Sequence, residues 1–250
     1  MSIITLLTDF GTADGYVGEV QGVLLSLVPA VTLVAIAHDV PAHDVEHARL
    51  ALARYWRRFP EGTVHLVVVD PGVGTDRAAI AVASEGRFLV GPDNGVLSPA
   101  LLSGSARVVR LRVPQGAAST FHGRDVFAPA AAALARGEPF ETVGRQHDDA
   151  IVRRTAAPAR LADGSISGEV VTVDRFGNLV TNIAAPRGGV VEIAGRRIGP
   201  VARTYGDVPP GTLVAVVGSS GFVEVAQRDG SAARALECGR GSAVILRPNG

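Results

Sequence analysis

The sequence has a single cysteine, Cys238, which excludes a disulfide within the chain and a structural zinc site built on several cysteines. It also lacks any excess of one charge, because 24 basic and 24 acidic side chains give a formal net charge of zero. This balance gives no electrostatic reason to expect nucleic acid or an anionic membrane as a partner. No apolar run approaches the roughly 20 residues that a membrane helix needs, and residues 1–11 lack the basic start of a secretion signal. We therefore expect a soluble, cytoplasmic protein.

Apolar residues are abundant, at 47% of the chain against 19% charged, which is enough for a sizeable core. In the first half, continuous apolar runs alternate with segments of helical periodicity. Continuous runs are typical of parallel strands that are buried on both faces, so the pattern predicts a layered α/β domain with a mainly parallel sheet. Asp44 is a plausible N-cap for the second helix. The predicted strands are 3–8, 31–37 and 63–69, and the predicted helices are 16–27, 44–59 and 124–136.

After about residue 150 the pattern changes to short strand-like runs separated by Gly, Pro and Asn, with no helical segment between them. This pattern is typical of a small β-barrel. The sequence therefore predicts an α/β domain over 1–150 and a β-barrel domain over 160–250, with a boundary near residue 155. The predicted barrel strands are 168–173, 178–183, 190–193, 212–217, 222–226 and 243–246.

Polar residues collect where the three predicted strands of the first half end. Asp9 follows the first strand, with Asp14 close behind, His38 follows the second, and Asp70 follows the third. A single acid at a strand end is usually a turn or a cap. Because the carboxyl ends of parallel strands meet at one edge of a sheet, three in succession favour a ligand crevice there.

Two other interpretations of these residues are weaker. Asp9, Asp14, His38 and His43 could form a metal site, but neighbouring residues do not face the same way and a cap explains Asp44 well. The glycine-rich loop 70–77 matches no phosphate-binding motif. A further segment, Thr120 to Asp125, places His122 before a glycine at the mouth of a helix, where it could handle protons near neutral pH.

Six motifs in order along the chain resemble the S-adenosylmethionine (SAM) hydroxide adenosyltransferases, the adenosine-forming SAM hydrolases. That family is related to the fluorinase and chlorinase that make 5′-halo-5′-deoxyadenosines. The resemblance covers nearly the whole chain, and six ordered motifs are far more specific than any one alone. The motifs are TDFGTADGYVGEVQGV at 8–23, FPEGTVHLVVVDPGVGTDR at 59–77, PDNG at 92–95, TFHGRD at 120–125, DRFGNLVTN at 174–182 and GSSGFVEVA at 218–226.

The resemblance implies an N-terminal α/β domain and a C-terminal β-barrel in a homotrimer, with sites between the N-terminal domain of one subunit and the C-terminal domain of the next. It implies attack of water on C5′ of SAM, giving adenosine and L-methionine. SAM is then the substrate, so no cofactor and no metal are expected.

The same resemblance assigns roles to individual residues. The family's catalytic Asp–Arg–His triad maps onto Asp70, Arg77 and His122. The implied substrate contacts are Asp9 with the ribose hydroxyls, Phe176 and Asn178 with adenine, Asp14 and Asp174 with the methionine ammonium group, Ser219 and Ser220 with its carboxylate, and Phe121 beside the triad. PDNG at 92–95 is interpreted as a structural turn.

Three alternatives stay open. A SAM-dependent halogenase is disfavoured because the halogenating relatives have Tyr-Ser where this chain has His122-Gly123, and the fluorinase carries an insertion that is missing here. A SAM or adenosine sensor would need no water-activating triad. A metal-dependent hydrolase built on Asp9, His38 and His43 would lose activity to chelators.

Overall fold

The apolar runs of the first half form one seven-stranded sheet in the unit Met1–Arg154 of a computed structural model, which describes residues 2–184 and 188–248. The spatial order of the strands is β2-β1-β3-β5-β4-β6-β7. The pairs β1–β2, β1–β3 and β3–β5 are parallel, and the other three pairs are antiparallel. The strands are β1 (Ile3–Thr8), β2 (Thr32–Ala37), β3 (Val64–Val68), β4 (Ala79–Ser84), β5 (Arg87–Pro92), β6 (Arg107–Leu111) and β7 (Gly144–Gln146).

Helices cover both faces of this sheet. One buried cluster joins β1 and β3 to α1 (Tyr16–Leu27) and α4 (Ala128–Ala135). A second cluster, on the opposite side of the strands, joins Leu7 and Val67 to α2 (Val45–Tyr55) and α3 (Ser98–Leu101). Successive strand side chains alternate between the two faces, so strands buried on both sides must be apolar at every position. The layered α/β domain is confirmed.

The helix boundaries differ from the sequence pattern in two places. Asp44 is the N-cap of α2, since its carboxylate accepts the N–H of His47 at 2.9 Å, but the α-helix ends at Tyr55 and a 3-10 turn, Trp56–Arg58, follows. Phe59 is extended because it precedes a proline. The predicted helix 124–136 begins as a π-helical turn, Gly123–Phe127, before α4 starts. A second 3-10 turn spans Phe140–Thr142.

The unit Thr155–Gly250 contains a closed barrel of seven strands. The order is β10-β14-β13-β12-β11-β15-β9, pairing of β9 with β10 closes the ring, and β8 adds to the edge of β9. Among the barrel strands that the structure describes, only the pair β12–β13 is parallel. The strands are β8 (Ala159–Arg160), β9 (Ile166–Val173), β10 (Leu179–Ala184), β11 (Val190–Ile193), β12 (Arg196–Ala202), β13 (Leu213–Val217), β14 (Phe222–Gln227) and β15 (Ala243–Arg247).

Two barrel elements have no counterpart in the sequence prediction. Strand β12 contains two exposed arginines, a glycine and a proline, so it lacks the apolar alternation of the other strands. Helix α5 (Ala232–Leu236) has only five residues, which are too few for a periodic pattern. The same unit also contains a 3-10 turn, Tyr205–Asp207. Ser231 caps α5 by accepting the N–H of Arg234 at 3.3 Å, and Ala232 and Leu236 pack into the barrel core. Within residues 2–184 and 188–248, no helix is long and apolar enough to cross a membrane.

Candidate active site

The loop from β3 to β4 brings an acid and an arginine into a paired geometry. Asp70 lies just beyond the end of β3 and Arg77 lies just before β4. Arg77 Nε donates to Asp70 Oδ1 at 2.8 Å, and Arg77 Nη2 donates to Asp70 Oδ2. The two side chains are only 9% and 6% exposed, so this is a buried, two-point ion pair rather than a surface contact.

His122 completes the cluster through the same guanidinium. Arg77 Nη2 lies 2.9 Å from His122 Nδ1. An arginine has donors and no acceptor, so Nδ1 accepts this bond and the neutral ring carries its proton on Nε2. Phe127 packs against both groups, with its ring centre 5.2 Å from the guanidinium carbon of Arg77 and 6.5 Å from the centre of the His122 ring. The structure thus joins Asp70, Arg77 and His122 with the arginine in the middle.

Burial, followed by the charge of Arg77, holds the pKa of His122 below its usual value, and the carboxylates of Asp70 and Asp125 act in the opposite direction. His122 is only 6% exposed. The neutral imidazole is therefore the form that predominates near pH 7, and it can accept a proton.

One nitrogen of the central arginine is buried without a hydrogen-bond partner in the part of the chain that the structure describes. Arg77 Nη1 finds no acceptor among the residues that the structure describes, although Nε and Nη2 are both bonded. A buried donor without an acceptor is costly, and in proteins such groups usually bind a water or an ion. Arg77 Nη1 therefore marks a position suited to a water molecule or a small anion beside the triad.

Gly74 lets the two loops of the triad approach each other, and Gly72 lets the β3–β4 loop fold tightly on itself. Gly74 has φ +77°, and a Cβ there would lie 2.5 Å from the backbone oxygen of Ser119, in the loop that leads to His122. Gly72 lies close to a residue of its own loop, since a Cβ there would lie 3.2 Å from Cγ of Arg77. A side chain at position 74 would push the loop of Asp70 and Arg77 away from the loop of His122.

The other strand ends on this edge are held by hydrogen bonds. Asp9 Oδ2 accepts the backbone N–H of His43 at 2.8 Å, and His43 has a positive φ of 66°, which is uncommon for a residue with a side chain. Thr8 Oγ1 lies 2.9 Å from His38 Nδ1. The sequence pattern gave no sign of this link between Asp9 and the segment before α2.

The metal interpretation has no supporting geometry among the described residues, which contain no group of three or more His, Cys, Asp or Glu side chains arranged to hold a metal ion. His43 reaches Asp9 through its backbone rather than through its imidazole.

Three aromatic rings lie beside the His122 segment. Phe121 packs edge-on against Phe10 and Tyr16, with ring centres 5.8 and 5.2 Å apart. A Cβ at Gly123 would lie 3.1 Å from Phe10 and 3.2 Å from Phe121, so this position leaves little room for any side chain. Asp14, just before Tyr16, is exposed.

In the barrel unit, the predicted residues Asp174, Phe176 and Asn178 share one turn. Asp174 Oδ1 accepts the backbone N–H groups of Phe176 and Asn178, and Asp174 Oδ2 accepts the side-chain amide of Asn178, each at 2.9 Å. This carboxylate closes the turn, the role that local statistics also favour for an acid and asparagine around a glycine. Phe176 is 75% exposed at the tip, so its ring is free to contact a ligand.

Ser219 and Ser220 occupy the hairpin turn between β13 and β14, closed by the bond from Gly221 N–H to Gly218 O at 2.9 Å. The hydroxyl of Ser220 is buried without a partner among the described residues. Glu224, which no sequence pattern singled out, is a carboxylate that is 5% exposed and accepts a hydrogen bond from Tyr205 at 3.0 Å. A Cβ at Gly218 would lie 1.8 Å from Glu224, so the carboxylate packs directly on this turn.

The PDNG segment at 92–95 makes structural contacts. The buried Asp93 accepts the N–H of Ile151 at 2.8 Å and lies 3.1 Å from Nε2 of His147. Asn94 donates its side-chain amide to Val69 O at 2.9 Å, next to Asp70. These bonds fasten the end of the α/β unit to the sheet and brace the start of the triad loop.

The chain thus combines an α/β unit, which carries a buried Asp–Arg–His cluster, with a barrel unit. Models of the SAM hydroxide adenosyltransferase N-terminal and C-terminal domains match residues 4–144 and 168–245. The chain belongs to the SAM hydroxide adenosyltransferase family.

The chain is 44% identical to a protein of Thermus thermophilus named (R)-S-adenosyl-L-methionine hydrolase, over 98% of this chain and 100% of that protein. It is 31% identical to a fluorinase of an Actinoplanes species, over 72% of this chain and 71% of the fluorinase. A crystal structure of an uncharacterised conserved protein from Thermotoga maritima matches 98% of this chain and 100% of that one with a TM-score of 0.89 and 34% identity.

Proposed function

We propose that this protein hydrolyses S-adenosyl-L-methionine to adenosine and L-methionine by attack of an activated water on C5′. The observation that carries the proposal is the free, buried Nη1 of Arg77 beside His122, in a chain that belongs to this family. Hydrolase relatives of higher identity than the fluorinase relatives add support.

The chemistry places the whole difficulty on the nucleophile. The leaving group is a neutral thioether, which departs from a sulfonium without needing a proton. Bulk water, which loses a proton only under strongly basic conditions, is a poor nucleophile. The site must therefore hold a water in line with the C5′–S bond and favour its deprotonation.

Arg77 supplies the electrostatic part of this activation. Its Nη1 donates to the attacking oxygen and stabilises the negative charge that develops there. Asp70 fixes the guanidinium through two bonds, so the charge is oriented before the reaction begins. Burial of the pair strengthens the effect, because little water competes for the donor.

His122 receives the proton at Nδ1, the unprotonated nitrogen of its ring. Arg77 cannot act as a base, and a carboxylate such as that of Asp70 is a weaker base than a neutral imidazole. As the proton arrives, Arg77 Nη2 keeps its bond to Asp70 and yields its bond to His122. The O–C5′ bond forms, the C5′–S bond breaks, and the electron pair of the broken bond stays on the methionine sulfur.

The remaining roles complete the proposal. Asp9 binds the ribose hydroxyls with the oxygen that His43 leaves free, and Phe121 lines the wall beside His122. Phe176 and Asn178 contact adenine, Asp14 and Asp174 face the ammonium group, and Ser219 and Ser220 face the carboxylate.

We further propose that the protein is a homotrimer in which the barrel residues that contact SAM come from a second copy of the chain.

A product assay tests this function. Purified protein, with or without prior treatment with a chelator, is incubated with SAM, with fluoride or chloride present or absent, and the nucleosides are separated by chromatography. Adenosine and methionine in equal amounts, independent of halide, are expected. A 5′-halo-5′-deoxyadenosine would indicate a halogenase, tight SAM binding without turnover would indicate a sensor, and activity lost only after chelation would indicate a metal-dependent hydrolase.

A further inference from the structure

Arg124 and Asp125 follow His122 closely in the chain and have no part in the proposed reaction. Arg124 Nε and Nη2 donate to the two carboxylate oxygens of Asp125 at 2.7 and 3.0 Å. Its third nitrogen, Nη1, donates to Glu19 Oε2 at 2.7 Å. Glu19 lies in the first turn of α1. One guanidinium therefore ties the segment that carries His122 to a helix on the face of the sheet.

Asp125 also closes the loop in which His122 lies. Its Oδ2 accepts the N–H of Ala118 at 2.9 Å, seven residues earlier in the chain. Inside that loop, the N–H of Phe121 bonds to Ala118 O at 3.1 Å, and the N–H of Asp125 bonds to Phe121 O at 3.2 Å. The bond to Arg124 holds the pKa of Asp125 below its usual value, so the carboxylate is charged at neutral pH.

The segment is held from its other side by packing. The guanidinium carbon of Arg124 lies 5.1 Å from the centre of the Phe121 ring, a cation–π distance. The same ring packs edge-on against Phe10 and Tyr16. His122 thus lies between a residue fixed by stacking and a residue fixed by an ion pair.

We propose that Arg124 and Asp125 form a clamp that positions His122 against Arg77. The inference rests on the proposed function, because it takes His122 as a catalytic residue, and it adds positioning residues that do not touch the substrate. Three charged groups influence the pKa of His122: Arg77 and Asp70 from the β3–β4 loop, and Asp125 from its own segment. Of these, Asp125 both restrains the loop and favours the protonated imidazolium that forms as water is deprotonated.

The test combines kinetics with an NMR titration of His122. In Asp125→Asn, the amide oxygen can still accept the N–H of Ala118, but the charge is gone. We expect the pKa of His122 to fall below the wild-type value and kcat to fall about tenfold, with KM within about twofold, because proton transfer and not binding is affected. The matched control is Glu138→Gln, which removes an exposed carboxylate that pairs with Arg136, two residues away; it should change neither quantity.

The titration does not require turnover, so the two proposals can fail separately. A wild-type protein that leaves SAM intact would overturn the proposed function, while the pKa of His122 would still test the clamp. If Asp125→Asn does not fold, the variant Glu19→Gln, which changes an exposed residue of α1, replaces it in the test. For this variant we expect a smaller fall in kcat and an unchanged KM. Unchanged kcat and unchanged His122 pKa in the folded variant would overturn the clamp.

Discussion

Arg77 is the residue on which the proposed chemistry depends most, because its guanidinium contacts both other members of the triad. The fork geometry matters as well as the charge: two nitrogens bind Asp70, one of these also meets His122, and the third is left to face the attacking oxygen. A lysine at this position would be a point charge without that arrangement.

We predict that Arg77→Lys lowers kcat by about 100-fold or more, the loss expected when an oriented donor to a developing oxyanion is removed. The measurement is the rate of adenosine formation at saturating SAM. The matched control is Arg57→Lys, since Arg57 makes the same two-point contact with Glu85 at 2.8 and 2.7 Å on the surface. A rate for Arg77→Lys close to that of the control would show that charge alone suffices.

A second residue-scale prediction concerns His65, which is fully buried in β3 and unused by the mechanism. Its Nδ1 lies 2.8 Å from Thr5 Oγ1, and its ring packs against Tyr55 and Phe59. Burial, followed by the charge of Arg87, lowers the pKa of His65 to about 4. The folded protein therefore resists protonating a group that the unfolded chain protonates near pH 6.5.

Between pH 6.5 and 4 the unfolded state binds the proton and the folded state does not. The free energy of unfolding therefore falls as the pH falls. With one pKa unit worth about 1.4 kcal/mol, the loss attributable to His65 is roughly 3 kcal/mol. Urea unfolding of the wild type and of His65→Gln at several pH values measures it. The variant should lose less stability over this range, and equal losses in both would contradict the assignment.

At the scale of single residues, local signals were predictable and long-range contacts were not. An acid just before a periodic apolar segment predicted the Asp44 cap, and the resemblance supplied the three residues that the structure brings together. That the arginine lies between the acid and the histidine depends on contacts 7 and 45 positions apart in the chain, which no local pattern encodes. Glu224 was not predicted for the same reason, because its place on the turn at Gly218 depends on the folded structure.

At the scale of elements, the two loops of the triad depend on a close approach at Gly74. Its positive φ and the position of Ser119 O leave no space for a Cβ. Because Gly74 has no side chain, the loop 70–77 can lie close to the loop before the π-helical turn Gly123–Phe127. The distance between these two loops sets the contact between Arg77 and His122.

We predict that Gly74→Ala lowers kcat by about tenfold or more, because a shift of the loops misplaces the catalytic groups. Gly104→Ala is the matched control: Gly104 has φ +79°, so it carries similar backbone strain, but a Cβ there meets nothing within 4 Å. Each variant should lose about 1 kcal/mol of stability from the strain alone. Activity and urea stability are measured together, and equal kcat values in the two variants would contradict the loop-spacing argument.

Strand β1 and helix α1 have the bounds that the sequence predicted. Asp9 ends the apolar run of β1, and Gly15 and Pro29 flank α1. Helix α2 is shorter than predicted, since the proline after Phe59 forces extended backbone before it. Strand β12 and helix α5 were not predicted, because contacts with neighbouring elements of the barrel place them and their own residues show no periodic apolar pattern.

At the scale of the whole molecule, the proposed homotrimer predicts that two defective chains can complement each other. Arg77→Lys removes a residue of the α/β unit, and Phe176→Ala removes an exposed ring from the barrel unit without disturbing a core. Co-expressed with different tags and purified as mixed oligomers, the two variants should be more active than either alone, because some sites would receive one intact contribution from each copy. Activity equal to the average of the separate variants would contradict shared sites.

The most direct measurement follows the oxygen that attacks C5′. Metal-free protein is incubated with SAM in ¹⁸O-water, and the products are analysed by mass spectrometry. The proposed function predicts adenosine labelled at the 5′ oxygen, unlabelled methionine, and about 100-fold less labelled adenosine, or still less, from the Arg77→Lys variant in the same time. Unlabelled adenosine, label in methionine, or SAM that remains intact while bound would contradict attack of water at C5′.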